Sequence, residues 1–317
     1  MSDRVGEDDR DENDHANGIE RGENDHRDAD ADQHPGGPRS PAENAELALL
    51  LEVASTPKPG NVDRRREYPE LRFEHFLAGA VGARDGLSLA ADGAPVGRAF
   101  ERAVAGMARQ RGGNTQFGCL LLAVPLVKAS VERSLTPAGV ADVVSDTTVE
   151  DAAAFYRAFD HVDVAVPDLD EESEDAAELD VRRGAAAIPT VRERGVTLLD
   201  VIELSADHDA NAREWTQGFP RTFTVADRIC DDEGPVPDRV ARAFLQQLAT
   251  EPDSLIVTQH GADAAEQVRE RAAAVGDDLA AAEELADDLV AEELNPGTTA
   301  DIVAAGTYVA LERGLDV

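Results

Sequence analysis

Three short stretches of the chain carry residue types that could do chemistry together: TPKPGNVD (56–63), RGGNTQFG (111–118) and NPGTTADI (295–302). In the first, Pro57 and Pro59 fix the backbone on both sides of Lys58 and withhold two donors, so the ammonium is oriented before any ligand arrives. Asn61 and Asp63 follow across Gly60. A cation, an amide and a carboxylate on one turn suit a phosphate, a sugar hydroxyl and a metal ion. Lys58 stands out further because Lys128 is the only other lysine among the 30 basic residues.

The second stretch has two glycines that allow close backbone approach. Asn114 or Thr115 can cap the helix that follows. The free N–H groups of that helix start, with Arg111 beside them, suit a phosphate. In the third, Thr298 and Asp301 have the T-x-x-D spacing of a capping box, which accounts for both without any function. Lesser candidates are Arg213 and Glu214 beside the single tryptophan, and His260 in QHGAD. The phosphate-loop, nucleophile-elbow, zinc-protease and dinucleotide signatures are all missing. Cys119 and Cys230 have no metal-ligand spacing, and Cys119, in an apolar run, reads as a small buried hydrophobe.

The elements that must position these loops are helical. Apolar residues recur at helical spacing over 42–55, 73–92, 115–130, 136–146, 148–162, 196–219, 238–251, 263–275, 277–294 and 298–314. Pro125 is expected to kink the third of these. Alternation of period two is nearly absent, with a weak strand candidate at 159–169. The expectation is an all-α domain over 42–317 with ten or more helices. Residues 1–41 are too polar to offset ordering entropy and are expected to form a disordered acidic tail. Residues 168–184 read as a charged surface loop or short helix.

The chain holds 65 acidic and 30 basic side chains, a formal net charge of -35. That charge repels nucleic acid and anionic membranes. It fits a halophilic protein kept soluble in concentrated salt, where screening removes the self-repulsion. No apolar stretch reaches the ~18 residues of a membrane span. The N-terminus has no basic start or apolar block of a secretory signal. A cytoplasmic location is expected.

Taken in order, E-V-x-x-T-P-K-P-G-x-V-D, then G-x-N-T-x-x-G, then N-P-G-x-x-A-D-I resemble the triphosphoribosyl-dephospho-CoA synthase family over about residues 44 to 315. The resemblance implies an all-α transferase that joins ATP to 3′-dephospho-CoA and releases adenine. A 5″-triphosphoribosyl group is left on the 2′-hydroxyl of the dephospho-CoA ribose. It implies Mg²⁺ with the ATP. Lys58 and Arg111 are then expected on phosphates, and Asn61, Asn114 and Thr115 on ribose or phosphate oxygens. Glu52, Asp63 and Asp301 are expected to do acid–base work or bind the metal. Two departures stand out. Gln116 occupies a position where the family usually has His, and Gln cannot transfer a proton near neutral pH. The segment REYPELRFEHF replaces a His and D-M-D segment, with Glu70 and Glu74 as substitute metal ligands. Two other readings stay open: a related nucleotide-dependent ribosyl transferase or hydrolase with another acceptor, and a non-catalytic nucleotide-binding helical protein.

Overall fold

The computed structural model describes residues 38–167 and 177–317. The expected disordered tail lies outside the described residues except at 38–41, as does part of the charged segment at 168–184. In chain order the helices are α1 (Pro41–Ala54), α2 (Phe73–Ala91), α3 (Val96–Met107), α4 (Phe117–Glu132), α5 (Pro137–Ser145) and α6 (Val149–Ala158). A 3₁₀ segment (Val181–Ala187) precedes α7 (Ile188–Arg194), α8 (Leu198–Glu203), α9 (Ala210–Gln217), α10 (Pro220–Asp231) and α11 (Val236–Leu248). Last come α12 (Ser254–His260), α13 (Ala262–Val275), α14 (Leu279–Ala291) and α15 (Gly297–Glu312). Among the described residues there is no strand. The protein is all-α.

Local chemistry sets many of the starts. Ser40 caps α1: its hydroxyl accepts from the Glu43 N–H at 3.3 Å, and its own N–H donates to Glu43 Oε2 at 2.8 Å. Such a cap is worth about 1 kcal/mol. Thr148 with Asp151 and Thr197 with Asp200 repeat the capping box at α6 and α8.

The two most apolar long helices, α4 and α15, pack on one another and on α1, so they form the middle of the molecule. Leu120, Leu122, Val124 and Leu126 of α4 and Val303, Tyr308 and Val309 of α15 are fully buried. Around them, α2 and α3 lie close because glycines face each other: a Cβ on Gly82 would stand 2.3 Å from the Gly106 carbonyl oxygen. α4 runs through Pro125 as a single element.

Two departures from the sequence expectation matter for the site. The helix expected over 196–219 is two helices, α8 and α9, because Asp209 breaks the run and caps α9, accepting from the Asn211 N–H at 2.9 Å. The third stretch begins its helix at Gly297 with Pro296 as the cap residue, and no side chain caps it.

Candidate active site

The three stretches singled out by their residue types meet. Asn61 Nδ2 donates to Asn295 Oδ1 at 2.9 Å, joining the first to the third. Cys119 Sγ, one residue past the second, donates to Asp301 Oδ1 at 3.1 Å. Beside these junctions lies a cavity of about 360 Å³. Glu52, Asn61, Asn114, Thr115 and Asp301 line it. Lys58, Asp63 and Arg111 do not.

The first stretch is a closed network behind the wall. Its Thr56–Pro57 peptide is cis. Asp63, 1% exposed, accepts from the Thr56 hydroxyl at 2.8 Å and from the N–H groups of Lys58, Arg65 and Arg66 at 3.1, 2.7 and 3.0 Å. The Arg66 guanidinium adds a contact at 3.2 Å. Five donors occupy this carboxylate, so Asp63 organises the loop and is not placed to ligate a metal or move a proton. Lys58 is 0% exposed. Its Nζ donates to Glu52 Oε1 and, at 2.9 Å, to Asn61 Oδ1, and lies over the Phe244 ring. The ammonium expected on a phosphate is therefore spent inside the protein, where it positions Glu52. Burial pushes the Glu52 carboxyl up, and the Lys58 ammonium opposes that push.

The third stretch overturns the capping-box expectation. Thr298 accepts from Ser254 Oγ at 3.0 Å, and Asp301, one turn into α15, points away from the helix end. Asp301 Oδ1 takes the Cys119 thiol, and Oδ2 accepts from Asn211 Nδ2 at 2.8 Å. Enclosure by protein lifts the Asp301 carboxyl to about 7; the two hydrogen bonds oppose this, and the nearby Asp209 and Asp253 carboxylates reinforce it. Burial likewise pushes the Cys119 thiol well up, so Cys119 is a hydrogen-bond donor in the wall as well as a small hydrophobe. Asp253 ties α12 to α15, accepting from Leu255 N–H at 2.9 Å and from Thr299 N–H at 2.7 Å. Gly118 makes the close approach of α4 to α15 feasible: a Cβ there would sit 1.9 Å from Asp301 Oδ2.

In the second stretch Asn114 Oδ1 accepts from the N–H of Phe117, the first residue of α4, at 3.0 Å, while the cap position belongs to Gln116, whose side chain does not cap. Arg111 is exposed, three residues before Asn114. Gln116 is 1% exposed and faces Gly79 behind the wall; neither end of its amide has a partner among the described residues, nor does the Thr115 hydroxyl. Glu70 and Glu74 are exposed and outside the lining.

Among the described residues no Lys or Arg lines the cavity, while Glu52, Asp163, Asp180, Asp209 and Asp301 do. An adjoining cavity of about 450 Å³ shares Val166, Pro167, His208, Ser254 and Thr258 with the first and adds Arg213. Arg213 itself sits 3.6 Å from Glu251. Glu214, expected beside it as a lesser candidate, is fully buried and accepts from the Thr222 N–H at 2.9 Å, a structural role. His260 is exposed at the end of α12. The far end of the first cavity is apolar, with Phe117, Phe155 and Phe159 packed ring against ring.

Asn211 and Asp209 are the site residues that sequence reasoning missed. The signal available was the Asp209 cap, an Asp two residues ahead of an Asn inside a run taken for one continuous helix.

Residues 38–316 match the model of the family described as ATP:dephospho-CoA triphosphoribosyl transferase. A crystal structure of a candidate triphosphoribosyl-dephospho-CoA synthase from Archaeoglobus fulgidus is similar in fold, with a TM-score of 0.61 and 22% sequence identity. The similarity covers 76% of this chain and 100% of that one. No curated protein matches the chain.

Proposed function

The chain belongs to the ATP:dephospho-CoA triphosphoribosyl transferase family, and from that premise we propose how its cavity serves the family's reaction. The protein is a transferase that joins ATP to dephospho-CoA. The C1′–N9 bond of ATP breaks and its electron pair leaves on adenine. A C1′–O bond forms to the acceptor's ribose 2′-hydroxyl, whose proton is given up. Positive charge develops at C1′, and adenine leaves better when it receives a proton.

The observation that carries the site is the pair of cavity carboxyls in opposite surroundings. Asp301 has no cation beside it and holds its proton up to about 7, so it is the acid that protonates the leaving base. Glu52 sits against a buried ammonium, so it is the anionic partner that faces the charge at C1′ or takes the hydroxyl proton. Burial raises both carboxyls, but an ammonium opposes it at Glu52 and only neutral donors oppose it at Asp301, a difference that can divide acid and base work. Gln116 lies behind the wall, so proton transfer in this cavity falls to the carboxyls.

Asn61, Asn114 and Thr115 line the cavity and are the groups offered to phosphate and ribose oxygens, while Arg111 stands exposed outside the lining. The phenylalanine-lined end suits a purine face or the acceptor's pantetheine arm, and the adjoining cavity with Arg213 extends the room for a second nucleotide. The Mg²⁺ cage expected from Glu52, Asp63 and Asp301 does not fit these residues. Lys58 holds Glu52, five donors hold Asp63, and among the described residues no group of three His, Cys, Asp or Glu is arranged for a metal. Mg²⁺ is proposed to arrive on the triphosphate, whose oxygens can hold it without a protein cage. No described helix is long and apolar enough to cross a membrane, and we place the reaction in the cytoplasm.

The test is adenine release from ATP and Mg²⁺, followed by chromatography in molar KCl, with and without 3′-dephospho-CoA. Release that depends on the acceptor, with an adduct of matching mass, is expected. Release without the acceptor would make the protein a hydrolase or a transferase with another acceptor. Bound ATP with no release would make it a binding protein.

A further inference from the structure

Asn211 has an amide held at one end and free at the other. Its backbone N–H is fixed by Asp209 at the first turn of α9. Its Nδ2 donates to Asp301 Oδ2 at 2.8 Å. Its Oδ1 accepts from nothing among the described residues. The residue is 6% exposed and lines the cavity. The Asp301 bond decides which end of the amide is left over. α4 makes room for the pair: a Cβ on Gly118 would stand 2.6 Å from Asn211 Nδ2. A buried acceptor without a donor keeps its desolvation cost, and a ligand that brings an N–H or O–H recovers it.

We propose that Asn211 Oδ1 accepts an N–H from the 6-amino group of the leaving adenine, and that Asn211 thereby selects 6-amino over 6-oxo purine nucleotides. This rests on the reading of the cavity as the place where adenine leaves and of Asp301 as its proton donor. Adenine carries the amino group beside ring nitrogen N7, a donor next to an acceptor. Asp301 and Asn211 offer the complement, a group that gives a proton next to an oxygen that accepts one. A 6-oxo purine turns a carbonyl toward Asn211 Oδ1, and two acceptors then face each other with neither satisfied. Ribose hydroxyls are the other donors available, but they are the same in both kinds of nucleotide.

The experiment compares base release from ATP and from ITP, each with 3′-dephospho-CoA, for the wild type and for Asn211→Leu. The wild type is expected to favour ATP in kcat/KM by roughly tenfold to a hundredfold, the factor for one buried acceptor left unpaired. In Asn211→Leu the ATP value falls by a similar factor and the ATP-to-ITP ratio approaches one. A merely structural Asn211 would weaken both nucleotides alike and leave the ratio where it was, which overturns the proposal. Equal use of ATP and ITP by the wild type also overturns it while leaving the transferase reading intact, and needs no variant to fold. Failure of the wild type to release either base would sink the underlying reaction, and this inference with it.

Discussion

The end of α1 with the loop after it and the start of α15 both hold buried carboxyls, and the protein treats them in opposite ways. In the loop Asp63 collects five donors, and at the end of α1 Glu52 holds an ammonium. At α15, Asp301 has a thiol and an amide for company, no cation, and two further carboxylates nearby. A fully satisfied buried network makes a rigid frame. An under-satisfied one leaves a group with an unusual proton affinity and a neighbour waiting for a donor, which is the condition of a working site. The frame holds Glu52 in the wall, and the loose end is where we propose the proton transfer.

Breaking the loose end is expected to cost activity and not stability. Asp301→Asn should lower adenine release by about 10²–10⁴-fold, the usual worth of a positioned acid. Its melting temperature should hold or rise at neutral pH, because a buried carboxyl with only neutral donors beside it is gone. A variant that keeps its activity would remove Asp301 from the mechanism. The same carboxyl sets a pH dependence. Its ordinary value is 3.8 and its folded value about 7, so between these the unfolded chain gives up a proton that the fold retains. Stability from this group is whole below about pH 4 and is lost as pH rises to 7. Activity that needs the protonated acid should fall over the upper part of that range. The groups facing Asp301 are Cys119 on α4, Asp209 ahead of α9 and Asp253 ahead of α12. Asp253 is itself raised, to about 6, and burial raises Asp209, so both push the slope the same way. Asp301→Asn should therefore flatten the wild-type fall in melting temperature only in part, and an unchanged slope would contradict the assignment.

Breaking the frame is expected to do the reverse. Lys58→Ala leaves the Glu52 charge buried without its partner, a loss of about 3–5 kcal/mol readable in urea melts. Adding Glu52→Gln should return part of it. Nucleotide affinity lost at unchanged stability would instead restore Lys58 as a phosphate ligand. The smallest effect sharpens the contrast. Arg65, 64% exposed at its side chain, pairs with Glu283 outside the frame. Arg65→Ala should move stability by less than about 1 kcal/mol in the same melts; a larger loss would extend the frame to the surface.

Much of this was legible in the residues. Helical spacing gave the all-α fold, and the three Gly- and Pro-rich stretches come together beside one cavity. What misled was local reasoning at their side chains. T-x-x-D is a capping box only if that Thr is the N-cap and the helix starts just after it; here the helix starts at Gly297, one residue before Thr298. Pro-Lys-Pro suggests an offered ammonium, yet Lys58 is covered by Phe244 from α11 and used by Glu52 from α1.

The sequence by itself determined the all-α class, the acidic excess and the presence of Glu52, Asp301 and Gly118 near loops. Only the tertiary structure decided which carboxyl would be saturated and which left wanting. Asn211 reaches Asp301 across 90 residues and Cys119 reaches it across 182. Proton affinity and burial depend on every neighbour brought within a few ångströms, and chain packing, not spacing along the chain, chooses those neighbours.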